Sequence, residues 1–250
     1  MRRGFDEVEA VVFDLDDTLV DTKVAFAAAI GAVATTYLPH LPADRHPEVV
    51  ATWRADVSGR YRAYTRGELS FDAQRMLRAN ELQLAFGGVE LDDAAYARWR
   101  DAYSAAFRGA WVAHDDAAPA LQELVRRGFR VGVLTNAARE MQVEKIARTG
   151  LADLVPLLVA VDDLGVGKPD PRVFQEACRL LGTEHARTVY VGDELDVDAR
   201  GAIAAGLHGV WIDRPGARRG GPHPEDPEAA RASGVTVISS LADLTDALRR

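Results

Sequence analysis

The sequence predicts an α/β protein: a Rossmann-like, mostly parallel sheet with helices on both faces, plus an inserted all-helical domain. Three observations predict it. Short apolar runs alternate with helical patterns near the start and again after residue 111, as parallel strands joined by right-handed crossovers require. Between about residues 21 and 111 the strand signal fades and helical periodicity remains. Charge divides at the same places. Residues 21–111 carry 11 basic and 11 acidic side chains, so the formal net charge of −8 belongs to the rest of the chain. The expected domains are an α/β core from 1–20 and 112–250, and a helical domain from 21–111.

Taken in order, Val8 to Phe13 reads as a buried strand that delivers Asp14-Leu15-Asp16-Asp17-Thr18 to its carboxyl end. Four helical patterns follow: Val24 to Tyr37, Val49 to Tyr64, Phe71 to Phe86 and Asp92 to Trp111. In the second, Trp53, Val57, Tyr61 and Tyr64 fall on one helical face. Then helix and strand alternate: a helix from Ala118 to Arg127, a strand from Phe129 to Leu134 ending at Thr135-Asn136, and a helix from Ala138 to Thr149. A strand from Leu157 to Val161 ends in Asp162-Asp163. Asp170 and Pro171 open a helix that Gly182 closes, with Val173, Phe174, Ala177, Leu180 and Leu181 as its buried stripe. A strand from Thr188 to Val191 ends in Gly192-Asp193, and a helix from Ala199 to Ala205 leads to a strand from Gly209 to Ile212. Arg214 to Gly234 reads as an exposed loop with one helical turn, before a strand from Val235 to Ile238 and a helix from about Leu241.

Composition narrows the function classes. Apolar residues make up 48% of the chain, enough for a core and too many for a disordered protein. No apolar run nears the roughly 18 residues that cross a bilayer. Met1-Arg2-Arg3-Gly4 leads into acidic residues rather than an apolar signal segment, so cytoplasmic location is the expectation. The acidic balance disfavours nucleic acid and anionic membranes as partners. The single cysteine, Cys178, excludes an internal disulfide and is expected to be a buried thiol. Only three of the 30 basic residues are lysines (Lys23, Lys145 and Lys168), which reads as compositional bias.

In an open parallel sheet, ligands bind beyond the carboxyl ends of the strands. Those ends carry Asp14 and Asp16, Thr135 and Asn136, Asp162 and Asp163, and Asp193 with Glu194, Asp196 and Asp198; Lys168 lies in a nearby loop. So many carboxylates repel one another unless a hard cation joins them, and Mg2+ takes oxygen ligands while keeping waters for a phosphate. The expected metal ligands are the Asp14 carboxylate, the Asp16 backbone carbonyl and Asp193. That frees Asp14 to attack phosphorus and Asp16 to protonate the leaving oxygen and then activate water. Thr135 is expected to bind phosphoryl oxygens, and Lys168 to neutralise charge on Asp14 and the transferring group.

These residues and their order resemble the four signature motifs of the haloacid dehalogenase-like hydrolase superfamily. The carriers are Asp14-Leu15-Asp16-Asp17-Thr18, Thr135-Asn136, Lys168-Pro169 and Gly192-Asp193 followed by Asp198. Supporting stretches are Gln142-Val143-Glu144-Lys145 ahead of Gly150-Leu151, and Asp198-Ala199-Arg200-Gly201-Ala202. The helical insert is similar to that family's helical cap. The resemblance implies Asp14 as nucleophile and metal ligand, Asp16 as acid/base, and Asp198 as support for the metal site or Lys168. Because the founding dehalogenases lack an acid at the position of Asp16, it also implies phosphatase chemistry. Glu194 and Asp196 leave open which acid assists Asp193, and His114-Asp115-Asp116-Ala117 lacks the family's usual proline.

The expected function is Mg2+-dependent hydrolysis of a small phosphorylated metabolite (a nucleotide, sugar phosphate or phosphoglycolate-like compound), by a monomer or homodimer. Specificity is assigned to the cap, where Arg60, Tyr61, Arg62, Tyr64, Arg66 and Arg75 are candidates. A phosphomutase of the same fold, a phospho-accepting receiver and a catalytically silent binding protein are the competing readings.

Overall fold

A computed structural model of the chain describes residues 5–215, 218 and 224–248. The opening tetrapeptide and part of the loop read between Arg214 and Gly234 lie outside the described residues. The chain forms two compact units, residues 22–111 and the remainder.

The first unit is helical: α1 (Thr22–Tyr37), α2 (His46–Ala55), α3 (Arg60–Thr65), α4 (Phe71–Ala85) and α5 (Asp93–Gly109). Ser70 and Asp92 cap α4 and α5, each side chain accepting from the backbone N–H three residues on. Tyr96, Trp99, Tyr103 and Phe107 form a stacked ladder along α5, and the Trp53 ring of α2 packs 5.3–5.6 Å from Tyr103 and Trp99. The single helix expected from Val49 to Tyr64 is in fact α2 and α3. Asp56 and Gly59 both adopt left-handed backbone conformations there, and the Asp56 carboxylate accepts the N–H groups of Tyr61 and Arg62 at the start of α3. Val57, expected on the buried face, is 81% exposed.

The second unit is built on a six-stranded parallel sheet. Its elements are β1 (Ala10–Phe13), β2 (Val20–Asp21), β3 (Val112–Ala113), α6 (Ala117–Arg126), β4 (Arg130–Leu134), α7 (Arg139–Arg148), β5 (Leu158–Val159) and α8 (Val161–Leu164). They continue with α9 (Pro171–Leu181), β6 (Thr188–Gly192), a π-turn at Leu195–Arg200, α10 (Gly201–Ala204), β7 (His208–Ile212), α11 (Pro227–Ala232), β8 (Thr236–Ile238) and α12 (Leu241–Ala247). Strand order is β5-β4-β1-β6-β7-β8. β1 is buried on both faces: Val11 and Phe13 enter one core with Leu121 and Leu124 of α6, while Val12 enters the other with Phe174 of α9. Phe13 lies level with Val133 and with Val191, so β1, β4 and β6 end side by side.

Several expectations change. β2 and β3 pair as an antiparallel ribbon, too short to leave a sequence pattern. Val161 starts α8 instead of ending a strand. On α9, Leu180 is exposed and Cys178 takes its place in the core. The helix expected from Ala199 begins earlier, in the π-turn, and no helix among the described residues is long and apolar enough to cross a membrane.

Candidate active site

Three neighbouring strand ends hold the site. β1 hands the chain to Asp14, whose N–H donates to the Val191 carbonyl at 2.8 Å, continuing the ladder by one bond. One residue past Asp16 the chain has already turned: Asp17 is left-handed, a conformation aspartate tolerates, and the N–H groups of Leu19 and Val20 return to the Leu15 carbonyl. That turn brings Asp14 and Asp16 to one end of β1.

Lys168 is buried, and its ammonium meets three acceptors: Asp14 Oδ1 at 2.6 Å, Asp198 Oδ1 at 2.7 Å and the Tyr190 hydroxyl at 2.8 Å. An ammonium has three hydrogens, so this set saturates it. Burial opposes its charge, yet Asp14 and Asp198 outweigh that and hold the lysine well above its ordinary pKa. Burial dominates at Asp14 instead and pushes its carboxyl up to about 7 in spite of Lys168, with Asp198 and Asp16 adding to the rise. Asn136 fixes the Lys168 backbone from both sides: its Nδ2 donates to the Lys168 carbonyl at 2.9 Å and its Oδ1 accepts the Lys168 N–H at 2.6 Å. Gly167 has to be glycine here, because a Cβ would collide with the Asn136 amide.

Asp16 faces the other way, towards α7. Lys145 Nζ bonds to its Oδ1, and Gln142 Nε2 donates to its Oδ2 at 2.6 Å. The same Gln142 amide donates to Thr135 Oγ1 at 2.9 Å, and that oxygen also accepts the Ala137 N–H at 3.2 Å.

Carboxylate oxygens of Asp14, Asp193 and Asp198 lie within 4.8 Å of one another, all three residues buried. This all-oxygen set fits a hard divalent cation. Asp198 has a second duty, since its Oδ1 receives Lys168 and its Oδ2 the Glu194 N–H at 2.9 Å. Its carboxylate presses on Gly192, where a Cβ would overlap it. Asp196 is turned to Arg200 at 2.7 Å, so of the acids left open after Asp193 it is Asp198 that joins the cluster. The Asp16 carboxylate is outside the cluster, which leaves its backbone carbonyl for the metal role expected of it. Asp162 and Asp163 are also outside: both bind Arg139 at the start of α7, Asp162 through the backbone N–H at 2.8 Å.

The candidates in the helical unit are engaged within that unit. Arg60 pairs with Glu81 at 2.8 Å and Arg66 with Glu68 at 2.6 Å. Arg62 donates to the Asp56 carbonyl at 3.2 Å. Arg75 lies over the rings of Phe71 and Tyr103, and Tyr61 packs against the buried Tyr64.

Sequence reasoning missed Tyr190, Gln142 and Lys145 as site residues. Tyr190 sits mid-strand and reads as core. Gln142 and Lys145 had a usable signal: a lysine surviving on the buried face of a helix in a chain with three lysines.

Comparison with known proteins agrees with this geometry. The family model for haloacid dehalogenase-like hydrolases matches residues 8–206. A glyceraldehyde 3-phosphate phosphatase of Methanopyrus kandleri is 32% identical over 208 residues, 83% of this chain and 84% of the relative. Among solved structures, a dehalogenase with an intermediate complex superposes with a TM-score of 0.73 at 24% identity, covering 98% of this chain and 99% of the other. A Bacillus subtilis HAD-hydrolase, YfnB, bound to magnesium, superposes at 0.74 and 21%, covering 96% and 98%. Strand-end acids, inserted helices and a family match over most of the length lead to one conclusion: the chain is an enzyme of the haloacid dehalogenase-like hydrolase family.

Proposed function

We propose that this hydrolase is a magnesium-dependent phosphatase of small phosphorylated metabolites, working through a phosphoryl group on Asp14. The observation that carries the reading is the pairing at the end of β1: a buried carboxylate, Asp14, charge-clamped by Lys168 through Oδ1, with a second acid, Asp16, two residues on. A dehalogenase of this fold has no use for that second acid; ester hydrolysis needs it twice.

In the first half-reaction Asp14 Oδ2 attacks phosphorus, the bond to the leaving oxygen breaks, and Asp16 gives that oxygen its proton. In the second, Asp16 takes a proton from water as the water attacks the same phosphorus, releasing phosphate and restoring the Asp14 carboxylate. Thr135 already accepts two hydrogen bonds at Oγ1, so its own O–H is what it offers to a phosphoryl oxygen. Lys168 holds Asp14 in place and keeps a positive charge beside the transferring group. Asp14, Asp193 and the Asp16 carbonyl would hold Mg2+, which supplies Lewis-acid neutralisation of the phosphoryl oxygens. YfnB's bound magnesium and the phosphatase name of the Methanopyrus relative support this reading. Nucleotides, sugar phosphates and phosphoglycolate-like compounds are the substrate class, and selection among them is assigned to the helical unit.

A panel of phosphorylated metabolites, assayed for phosphate release with magnesium and after exhaustive chelation, tests the proposal. We expect release that collapses on chelation and returns with magnesium. Undiminished activity without metal, or a quenched phosphoryl group found on a residue other than Asp14, refutes it.

A further inference from the structure

We propose that Gln142 and Lys145 of α7 are positioning residues: together they fix the plane of the Asp16 carboxyl group and couple it to the Thr135 hydroxyl. The inference rests on the phosphatase reading for its kinetic consequences, though its geometry stands apart from it.

The two side chains are three residues apart, hence on one face of α7, and both are fully buried. A buried lysine needs a partner, and Lys145 finds it in Asp16, 129 positions away in the chain. Each oxygen of Asp16 has its own donor, Lys145 on Oδ1 and Gln142 on Oδ2. One donor would leave the carboxyl group free to swing about that contact; two donors define its plane. The Gln142 amide has two hydrogens, and both go to residues assigned to the chemistry, Asp16 at 2.6 Å and Thr135 at 2.9 Å. Its Oε1 is buried with no hydrogen-bond partner. Reversing the amide would set that oxygen against the Asp16 carboxylate, so the observed orientation is enforced by Asp16 and not by Oε1.

Lysine usage makes the same point. Of the chain's three lysines, two are buried, and each meets one of the two aspartates at the end of β1: Lys168 on Asp14 and Lys145 on Asp16. Elsewhere the chain uses arginine almost without exception. A compact ammonium on a flexible stem can be enclosed against a single carboxylate oxygen, whereas a guanidinium fork demands five partners.

The test compares wild type with Lys145→Met and with Gln142→Met, each close in length and lacking the donor. kcat, KM and the rate of phosphoryl-enzyme formation are measured for an alkyl phosphate, whose leaving oxygen needs a proton, and for a nitrophenyl phosphate, whose leaving group does not. A misplaced Asp16 should lower kcat for the alkyl ester roughly 100-fold, with KM nearly unchanged, in keeping with the usual contribution of a positioned acid. The loss of phosphoryl-enzyme formation from the aryl ester should be less than about tenfold. An equal fall in the rate of phosphoryl-enzyme formation for both esters, or a change in KM alone, overturns the proposal. If Lys145→Met does not fold, Gln142→Met decides it by the same ratio, since it strands no buried charge. Crystal structures of wild type and Gln142→Met give a readout that needs no turnover. The Asp16 carboxyl should rotate while Asp14 stays in place, and an unmoved Asp16 refutes the positioning role. A wild type that hydrolyses no phosphate ester sinks the phosphatase reading alone, and the crystal comparison still settles this one.

Discussion

The two units of the molecule treat their charged residues in opposite ways. In the α/β unit, buried charges from separate elements converge: Lys168 joins Asp14 and Asp198, while Lys145 joins Asp16. In the helical unit, the pairs Arg60–Glu81 and Arg66–Glu68 are partly exposed, and Arg78, largely enclosed, packs over Trp53 and lies 3.6 Å from Asp56. Exposed pairs of that kind contribute little, typically under about 1 kcal/mol. Buried ones are costly to desolvate and are poor devices for stability. Their concentration at three strand ends therefore marks where the chemistry lies.

The sharpest way to break this contrast is to remove the charges at the end of β1. Asp14→Asn should abolish turnover and leave no phosphoryl-enzyme. Asp16→Asn should lower alkyl ester turnover by at least about 100-fold, yet still accept phosphoryl from an activated aryl ester. Rapid-quench mass spectrometry separates the two, and a phosphorylated Asp14→Asn protein would show that the nucleophile lies elsewhere.

A second, smaller effect probes packing inside the same site. In Gly192→Ala the new methyl would occupy the space of the Asp198 carboxylate, which is itself held by Lys168 and the Glu194 N–H. Relief requires Asp198 to move. We expect a loss of about 1–3 kcal/mol of stability from the overpacking, and a fall in kcat from the displaced partner of Lys168. A variant with wild-type melting and wild-type kcat would mean that Asp198 is not held against Gly192.

Legibility in the sequence follows from how each residue reaches the site. Asp14, Thr135 and Asp193 follow apolar runs directly, so reading the strand ends finds them. Lys168 was visible as a rare lysine beside a proline. Lys145 and Gln142 reach Asp16 from within a helix, where the rare lysine is a signal but nothing in the sequence names the partner it will meet after folding. The same limit explains the helical unit. Arg60, Arg62 and Arg75 were chosen by residue type, and only packing reveals that Arg75 lies across two rings. The break between α2 and α3 depends on a left-handed Asp56, which the periodicity of Trp53, Tyr61 and Tyr64 concealed. β1, β4 and β6 were legible because, beyond Arg130 and Thr188 at the starts of β4 and β6, they are buried and carry no charged residue.

Metal and pH sharpen the contrast further. Without metal, burial raises the Asp14 carboxyl from 3.8 to about 7. Between those values the folded chain keeps a proton that the unfolded chain has released, so stability falls as pH rises through the window and levels off above about 7. Lys168 is protonated in both states over this range and adds no slope. Melting temperatures of the chelated protein should therefore decline from about pH 4 to 7 relative to Asp14→Asn, which lacks the group. Magnesium should raise the melting temperature of the wild type at pH 8, since a bound cation favours the ionised cluster. A difference curve without slope would show that Asp14 is not raised by its surroundings.

The smallest expected effects lie in the helical unit, where they test whether it is scaffold alone or also selects substrate. Arg75 and Arg62 should part company. The Arg75 guanidinium sits 4.6 Å from the Phe71 ring centroid and 5.2 Å from that of Tyr103, and reaches Ser104 at 3.3 Å. Arg75→Ala should therefore cost about 1 kcal/mol, a melting shift of about 2–4 °C in a chain of this size, with the order of preferred metabolites unchanged. Arg62 has a side chain 59% exposed, and its nearest carboxylate contact, Asp56, is 3.9 Å away. Its removal should barely alter melting. If the helical unit selects substrate through this charge, Arg62→Ala should change relative kcat/KM among metabolites by roughly tenfold, the scale of one lost charged contact. Neither substitution should change nitrophenyl phosphate hydrolysis by more than about twofold, because that ester asks nothing of a specificity residue. A folded Arg62→Ala protein with an unaltered ranking removes Arg62 from substrate selection. Loss of aryl ester hydrolysis in either folded variant would be more serious, since it would place part of the chemistry in the helical unit.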